Sequence, residues 1–250
     1  MGPGPGERKS RLPIIDDDPA ASTTPILRRW LPPPPCPPRP RAHPAPVPTP
    51  PPAVSIDRPS TVGVIDRMFA AVEQVRERLD RACGALESAG VPYAVVGGNA
   101  VAAWVATVDE GAVRNTRDVD ILLREEDLPA AEAALSGVGF VRDSVLDVVV
   151  FLDGPDGKPS QGLHVLIAGR KVREGNATAA PSVDQHRSFD GKRFVDLERL
   201  VEMKLNSFRD KDRTHLRDLI GIGLIDATWP SRFPDELGGQ LQQLLDDPDG

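Results

Sequence analysis

Cysteine is nearly missing. The 250 residues hold Cys36, inside a proline run, and Cys83, inside a helical pattern. Two such residues build neither a disulfide framework nor a zinc-finger spacing, and the reducing cytoplasm is the expected compartment. No apolar run approaches the length of a membrane span, so no membrane partner is expected. The opening MGPGPGERKSR has no apolar core of a secretory signal. It also carries Gly6 where a myristoylation pattern requires Ser or Thr. Positive charge is short as well: 30 Lys and Arg stand against 37 Asp and Glu, a net charge of -7. That balance argues against a surface that coats nucleic acid broadly and leaves room for a local basic groove.

What is present is unevenly spread. Residues 1–60 hold most of the 27 prolines. Proline removes backbone donors and favours extended polyproline conformation, and such a segment buries too little surface to offset its ordering entropy. Residues 1–60 are therefore expected to be a disordered proline-rich tail, followed by an α/β domain over 61–195 and a helical C-terminal region over 196–250. In Val62–Ala89 the positions Ile65, Met68, Phe69, Val72, Leu79, Ala82, Cys83 and Leu86 recur at helical spacing. One helix or two, packed against a sheet, is expected there, with Cys83 as a small core residue.

The most informative stretch runs from Tyr93 to Leu123. Tyr93–Val96 is a short apolar run that suits a buried strand. Gly97-Gly98 follow, where a missing Cβ allows a sharp turn and close approach to a ligand, and Asn99–Thr107 reads as a helix of small residues. A glycine turn feeding a helix start presents free N–H groups and the positive dipole end, a natural phosphate cradle. After a polar loop, Asp118-Val119-Asp120-Ile121-Leu122-Leu123 reads as a second strand. Positions two apart on a strand face one way, so both carboxylates share a side, separated by about 6–7 Å from the rise per residue. At an effective dielectric near 20 their repulsion is about 2–3 kcal/mol. A divalent cation between them reverses that sign.

Gly97-Gly98-Asn99-Ala100, then Arg114-x-Thr116-x-Asp118-x-Asp120, resembles the polymerase-beta-type nucleotidyltransferase superfamily. The fuller pattern is similar to the small bacterial branch containing the AbiEii-type (type IV) toxins. The resemblance covers roughly Tyr93 to Leu219. It implies a mixed twisted sheet with helices, followed by a small helical C-terminal region, and transfer of NMP from a nucleoside triphosphate. Asp118 and Asp120 would hold Mg2+ (or Mn2+), and Gly97, Gly98, Asn99, Arg114 and Thr116 would hold the nucleotide. The acceptor stays open among RNA, protein and small molecule, and similarity to the toxin branch adds an antitoxin as a partner. A nucleotide-binding or protein-interaction module of the same fold, impaired in catalysis, is the other reading.

Farther along, Asp127 is expected to cap a helix over Leu128–Ser136. Strands follow at Phe140-Val141, Ser144–Leu152 and Gly162–Ala168, for a sheet of about four to five strands. In the superfamily a third carboxylate sits on a strand beside the Asp-x-Asp strand, and here strand order puts His164 at that place. Histidine there could ligate a metal, take a proton near neutral pH or merely fill the strand, and Asp147 is the other candidate for the missing acid. Asn176-Ala177-Thr178 matches a glycosylation sequon and reads as loop. An edge strand is expected at Arg193-Phe194-Val195. Helices are expected over Asp196–Phe208, Arg209–Leu219 and Pro234–Leu245. Lys204 stands beside an apolar stripe, where lysine needs a partner, and the resemblance sends it toward the phosphates. By the same resemblance Asp210, Lys211, Asp212 or Asp218 would line the cleft, whereas from the residues themselves the acidic ones read as a solvated face laced with ion pairs.

Overall fold

The computed structural model describes residues 61–145 and 148–247. The expectations for residues 1–60 and for Asp147 lie outside them. The first element is a single helix, α1 (Thr61–Ser88). Strand β1 (Tyr93–Val96) leads directly into α2 (Gly97–Ala106), then β2 (Val119–Leu123) and α3 (Leu128–Ser136). Next come β3 (Phe140–Val145), β4 (Val148–Asp153), β5 (Leu163–Ile167), β6 (His186–Phe189) and β7 (Lys192–Val195). Three helices finish the chain: α4 (Leu197–Ser207), α5 (Asp210–Gly221) and α6 (Asp235–Asp246).

The strands form one mixed sheet of seven, in the order β3-β4-β5-β2-β1-β7-β6. At its centre β2 pairs antiparallel with β1 and parallel with β5, and β1 pairs parallel with β7. Central strands are covered on both faces, which is why Tyr93–Val96 and Ile121–Leu123 are continuous apolar runs rather than alternating ones. A single core joins the sheet to α4, α5 and α6 through Leu200, Leu205, Leu216, Leu219, Leu241 and Leu244. The indole N–H of Trp104 donates to the Val195 carbonyl at 2.9 Å and pins α2 to β7.

Five expectations need correction. The run Ser144–Leu152 is a hairpin, because Val145 pairs antiparallel with Val148; valines stand on both sides of Leu146-Asp147, and a single Asp is a weak turn signal inside so strong a strand pattern. The strand at Lys192–Val195 is not an edge but lies between β1 and β6. Together the hairpin and β6 raise the strand count above the expected four to five. Asp127 stands at the start of α3 without a capping hydrogen bond from its side chain, since a short 3-10 turn over Glu125–Asp127 already leads the chain in. Finally, only the later part of α1 packs on the core. Leu79, Ala82, Cys83 and Leu86 are buried, whereas Met68 and Phe69 are 64% and 71% exposed. At 1.5 Å per residue the helix is about 42 Å long, and Ile65 and Val72 in its earlier part are exposed as well. Cys83 is a core residue as read, its thiol pushed up to about 11, chiefly by burial. No described helix is long and apolar enough to cross a membrane.

Candidate active site

The register of the three central strands sets up the site. Val96 on β1 pairs with Asp120 on β2, and Asp120 pairs with His164 on β5, so these residues form one row across the sheet. Asp120 interrupts an otherwise buried strand. Directly after Val96 the chain turns at Gly97, whose φ of 68° is open to glycine and strained for other residues. A Cβ at Gly97 would stand 2.0 Å from Asp120 Oδ2, and one at Gly98 would stand 2.7 Å from Thr116 Oγ1. The glycine pair is thus needed for more than its turn. It lets the start of α2 lie against the aspartate strand and the loop before it. Asn99 secures that contact from its own side, its Nδ2 donating to the Asp118 carbonyl at 2.8 Å.

His164 faces Asp120, with Nδ1 3.5 Å from Oδ1. Its other nitrogen, Nε2, lies 2.9 Å from the Pro159 carbonyl and so donates to it. This hydrogen bond fixes the tautomer: the neutral ring keeps its proton on Nε2 and turns the Nδ1 lone pair toward Asp120. The imidazole is held above its ordinary value, first by the hydrogen bond to Asp120, then by the Pro159 carbonyl and the charges of Asp120 and Asp118, against the opposing pull of burial.

Lys204 enters from α4. It is 6% exposed, and its Nζ lies 3.0 Å from Oδ1 of Asp212, which is fully buried. Oδ2 of the same carboxylate accepts from Arg209 Nε at 2.8 Å. Burial pushes the Lys204 ammonium down, and the charges of Asp212 and Asp120 pull back. Burial would raise the Asp212 carboxyl, but Arg209 and Lys204 outweigh it and hold the acid at about 2. His215, one turn on from Asp212, is pushed down to about 4 by burial and by Lys204. Asp212 is therefore a structural part of the cleft rather than one charge on a solvated face. The solvated reading fits Asp210, whose partner is Arg213.

Gly97, Gly98, Thr116, Asp118, Asp120, His164 and Lys204 all line one cleft of about 810 Å³, with Asp212 and His215. Arg114 does not join them: its Nε is 2.6 Å from Asp218 Oδ2, tying the loop before β2 to α5. Asn99 stands behind the lining as a support. The sequence reading missed His215, and it missed Asn176 and Asn206, which hold the far wall. The Asp212 pairing had one legible signal, a lysine at a stripe edge eight residues before an acid.

The donor set fits a divalent cation in one particular way. Among the described residues no three or more His, Cys, Asp or Glu groups converge as a metal cage. Two carboxylates two residues apart, opening on a cleft with a bare glycine beside Oδ2, match magnesium. That ion is commonly held by one or two carboxylates and completes its octahedron with water and substrate phosphates.

No family model matches the chain, and no curated protein matches it. Several solved structures are similar in outline. The antibiotic-resistance factor ANT(2'')-Ia, in its solution structure, shares 15% identity over 69% of this chain and 91% of its own, with a TM-score of 0.44. The same factor in complex with adenylyl-2''-tobramycin shares 15% identity over 70% and 97%, with a TM-score of 0.38. An antigenic nucleotidyltransferase-like protein from Paracoccidioides brasiliensis shares 16% identity over 72% and 91%, with a TM-score of 0.46.

Proposed function

We infer that the chain is a nucleotidyltransferase dependent on Mg2+ or Mn2+, moving NMP from a nucleoside triphosphate to an acceptor hydroxyl or phosphate. The observation that carries this reading is the contact between Gly97 and Asp120. It brings a helix start, of the kind suited to phosphate, and a carboxylate pair to one cleft. The bond to form joins an acceptor oxygen to the α-phosphorus; the bond to break releases pyrophosphate.

The chain's own residues have separable roles in that scheme. Amide groups at Gly97 and Gly98 meet phosphate oxygens at the start of α2. Asp118 and Asp120 hold the cation, which when bound neutralises charge building on the transferred phosphorus. Lys204, whose ammonium is pushed down by burial and supported by Asp212 and Asp120, adds a positive group where phosphate charge develops. His164 presents Nδ1 beside Asp120, and in its neutral form is placed to take the acceptor's proton. The motif Gly-Gly-x-Ala with Arg-x-Thr-x-Asp-x-Asp supports the AbiEii-like branch, and with it a cytoplasmic toxin restrained by an antitoxin. RNA, protein and small molecule remain the acceptor classes for the assay to separate.

Incubation with each of the four labelled nucleoside triphosphates, total RNA or lysate, and Mg2+ or Mn2+ tests the reading. Incorporation that disappears in Asp120→Asn is the expected result. No incorporation under any of these conditions contradicts transfer. One observation favours a second reading, a binding module without turnover: the third acidic position holds His164, already engaged with Asp120. Calorimetric triphosphate binding together with zero incorporation selects that alternative.

A further inference from the structure

A chain with a net charge of -7 places unpaired cations around the mouth of this cleft. Arg117 precedes β2, Lys171 and Arg173 lie between β5 and β6, and Lys211 is in the first turn of α5; all four line the cleft and are exposed. Among the described residues none of these four side chains has a hydrogen bond or ion pair. Three further cations on the same lining are engaged, Arg170 with Glu125, and Lys204 and Arg209 with Asp212. The acids of the lining are Asp118, Asp120 and Asp212, and Asp212 is already matched by Lys204 and Arg209. The mouth is therefore positive where the molecule as a whole is negative.

The loop that carries Lys171 and Arg173 is built rather than loose. Its neck is closed by paired backbone groups, Gly169 N–H to the Ala180 carbonyl at 3.0 Å and Ala180 N–H to the Arg170 carbonyl at 2.9 Å. Asn176, 8% exposed, latches it to α4. Its Oδ1 accepts from the Arg173 N–H at 2.8 Å and its Nδ2 donates to the Asn206 carbonyl at 2.9 Å. The Asn206 side chain answers by accepting from the Thr178 N–H at 3.2 Å and donating to Thr178 Oγ1 at 2.6 Å. Asn206 stands two residues beyond Lys204 on the same helix. The latch thus fixes a cationic loop relative to the group proposed to meet phosphate. The sequence Asn176-Ala177-Thr178 serves as that latch.

We propose that this loop, with Arg117 and Lys211, docks the acceptor, and that the acceptor is a nucleic-acid strand held by its phosphodiester backbone across the mouth of the cleft. No Phe, Tyr or Trp lines the cleft, so it offers no broad base-stacking platform and its grip on a strand is chiefly electrostatic. The cations come from separate elements around the opening, which suits an extended polyanion better than one compact anion and repels a polycation. Calling the strand an acceptor rests on the transfer reading; its binding does not.

Fluorescence anisotropy with a labelled single-stranded RNA of about 12 nucleotides, a usual site size, tests this without nucleotide or metal. Each lost phosphate contact lowers the slope of log affinity against log salt by about 0.7 for a single strand, so Lys171→Glu with Arg173→Glu should lower it by about 1.4. Affinity should fall at least tenfold, roughly the effect of losing a few phosphate contacts. Asn176→Ala should weaken binding with no change of charge. Arg76→Glu, on exposed α1, should not. Magnesium-dependent triphosphate binding by calorimetry should survive the loop variant. An unchanged RNA affinity or salt slope in that variant overturns the proposal. Equal loss of triphosphate binding also overturns it, assigning the loop to the nucleotide's own phosphates. So does transfer to protein or a small molecule by a chain that binds no RNA. Loop-dependent RNA binding without transfer of any nucleotide removes the transferase reading and leaves the docking surface standing. Should Asn176→Ala fail to fold, the exposed loop variant still decides.

Discussion

Replacing Gly97 by alanine adds one methyl group where the start of α2 meets Asp120. Two costs follow from the geometry. The φ of 68° at this position costs an L-residue about 1–2 kcal/mol. The new Cβ would also stand 2.0 Å from Asp120 Oδ2, 2.8 Å from Cγ and 3.0 Å from Cβ. Rotation at the tip does not relieve three contacts of that kind, so the whole side chain must leave its well, at about 0.5–1.5 kcal/mol. The half-exposed pairing with His164 adds at most about 1 kcal/mol. Together these give about 2–4 kcal/mol, readable as a lower urea midpoint at constant slope. Magnesium-dependent triphosphate affinity should fall further than stability does, because the displaced group is itself the proposed ligand. Gly98→Ala displaces Thr116 instead, at a negative φ, and should cost stability while sparing metal affinity. A Gly97→Ala protein with wild-type metal affinity would refute the idea that bare backbone is needed for Asp120 to reach its place.

Other consequences follow from the buried charges. Asp212→Ala strands the Lys204 ammonium in a buried position and should cost about 3–5 kcal/mol, measured by denaturant unfolding, with Lys204→Met/Asp212→Leu recovering much of the loss. The same corner should be acid-sensitive. His215 is neutral in the fold down to about 4, against 6.5 unfolded, so the unfolded state binds the extra proton and stability declines as pH falls from 6.5 toward 4. The decline is at most about 3 kcal/mol. His215→Gln should flatten it, and a decline that persists in the variant would contradict the assignment. Asp212, at about 2 against 3.8, should add a further loss only below 3.8. His164→Asp should tighten magnesium binding by supplying a hard oxygen, whereas unchanged metal affinity and turnover in His164→Ala would reduce the residue to a strand filler.

The core of the site was legible because it is local. Val96, Gly97 and Gly98 are consecutive, and Asp118 and Asp120 are two apart; β2 begins only at Val119, yet both carboxylates line the cleft as the expected alternation required. His164 needed strand order, which the chain supplies through the parallel pairing of β2 with β5. What stayed hidden depends on partners far along the chain or on short turns. Arg114 finds Asp218 on α5, a contact that no local pattern announces. The hairpin after Phe140 is masked by β-branched residues on both arms. Asp212 looks like one more charge in an amphipathic helix until Lys204, on another helix, turns to meet it. The latch of Asn176 and Asn206 joins a loop to a helix 30 residues later, and polar residues in a loop read as solvated when their partners are unseen.

The central claim is that Gly97, Gly98, Asp118 and Asp120 together hold a nucleoside triphosphate through a divalent cation. Isothermal calorimetry with a non-hydrolysable triphosphate, in magnesium and again with chelator, tests it most directly in the wild-type protein and in Asp118→Asn and Asp120→Asn. The account predicts binding in magnesium, its loss with chelator, and a fall of at least tenfold, about 1.4 kcal/mol, in each variant while the unfolding midpoint stays near that of the wild type. Equal affinity with and without the metal, or an undiminished affinity in both variants, would contradict it.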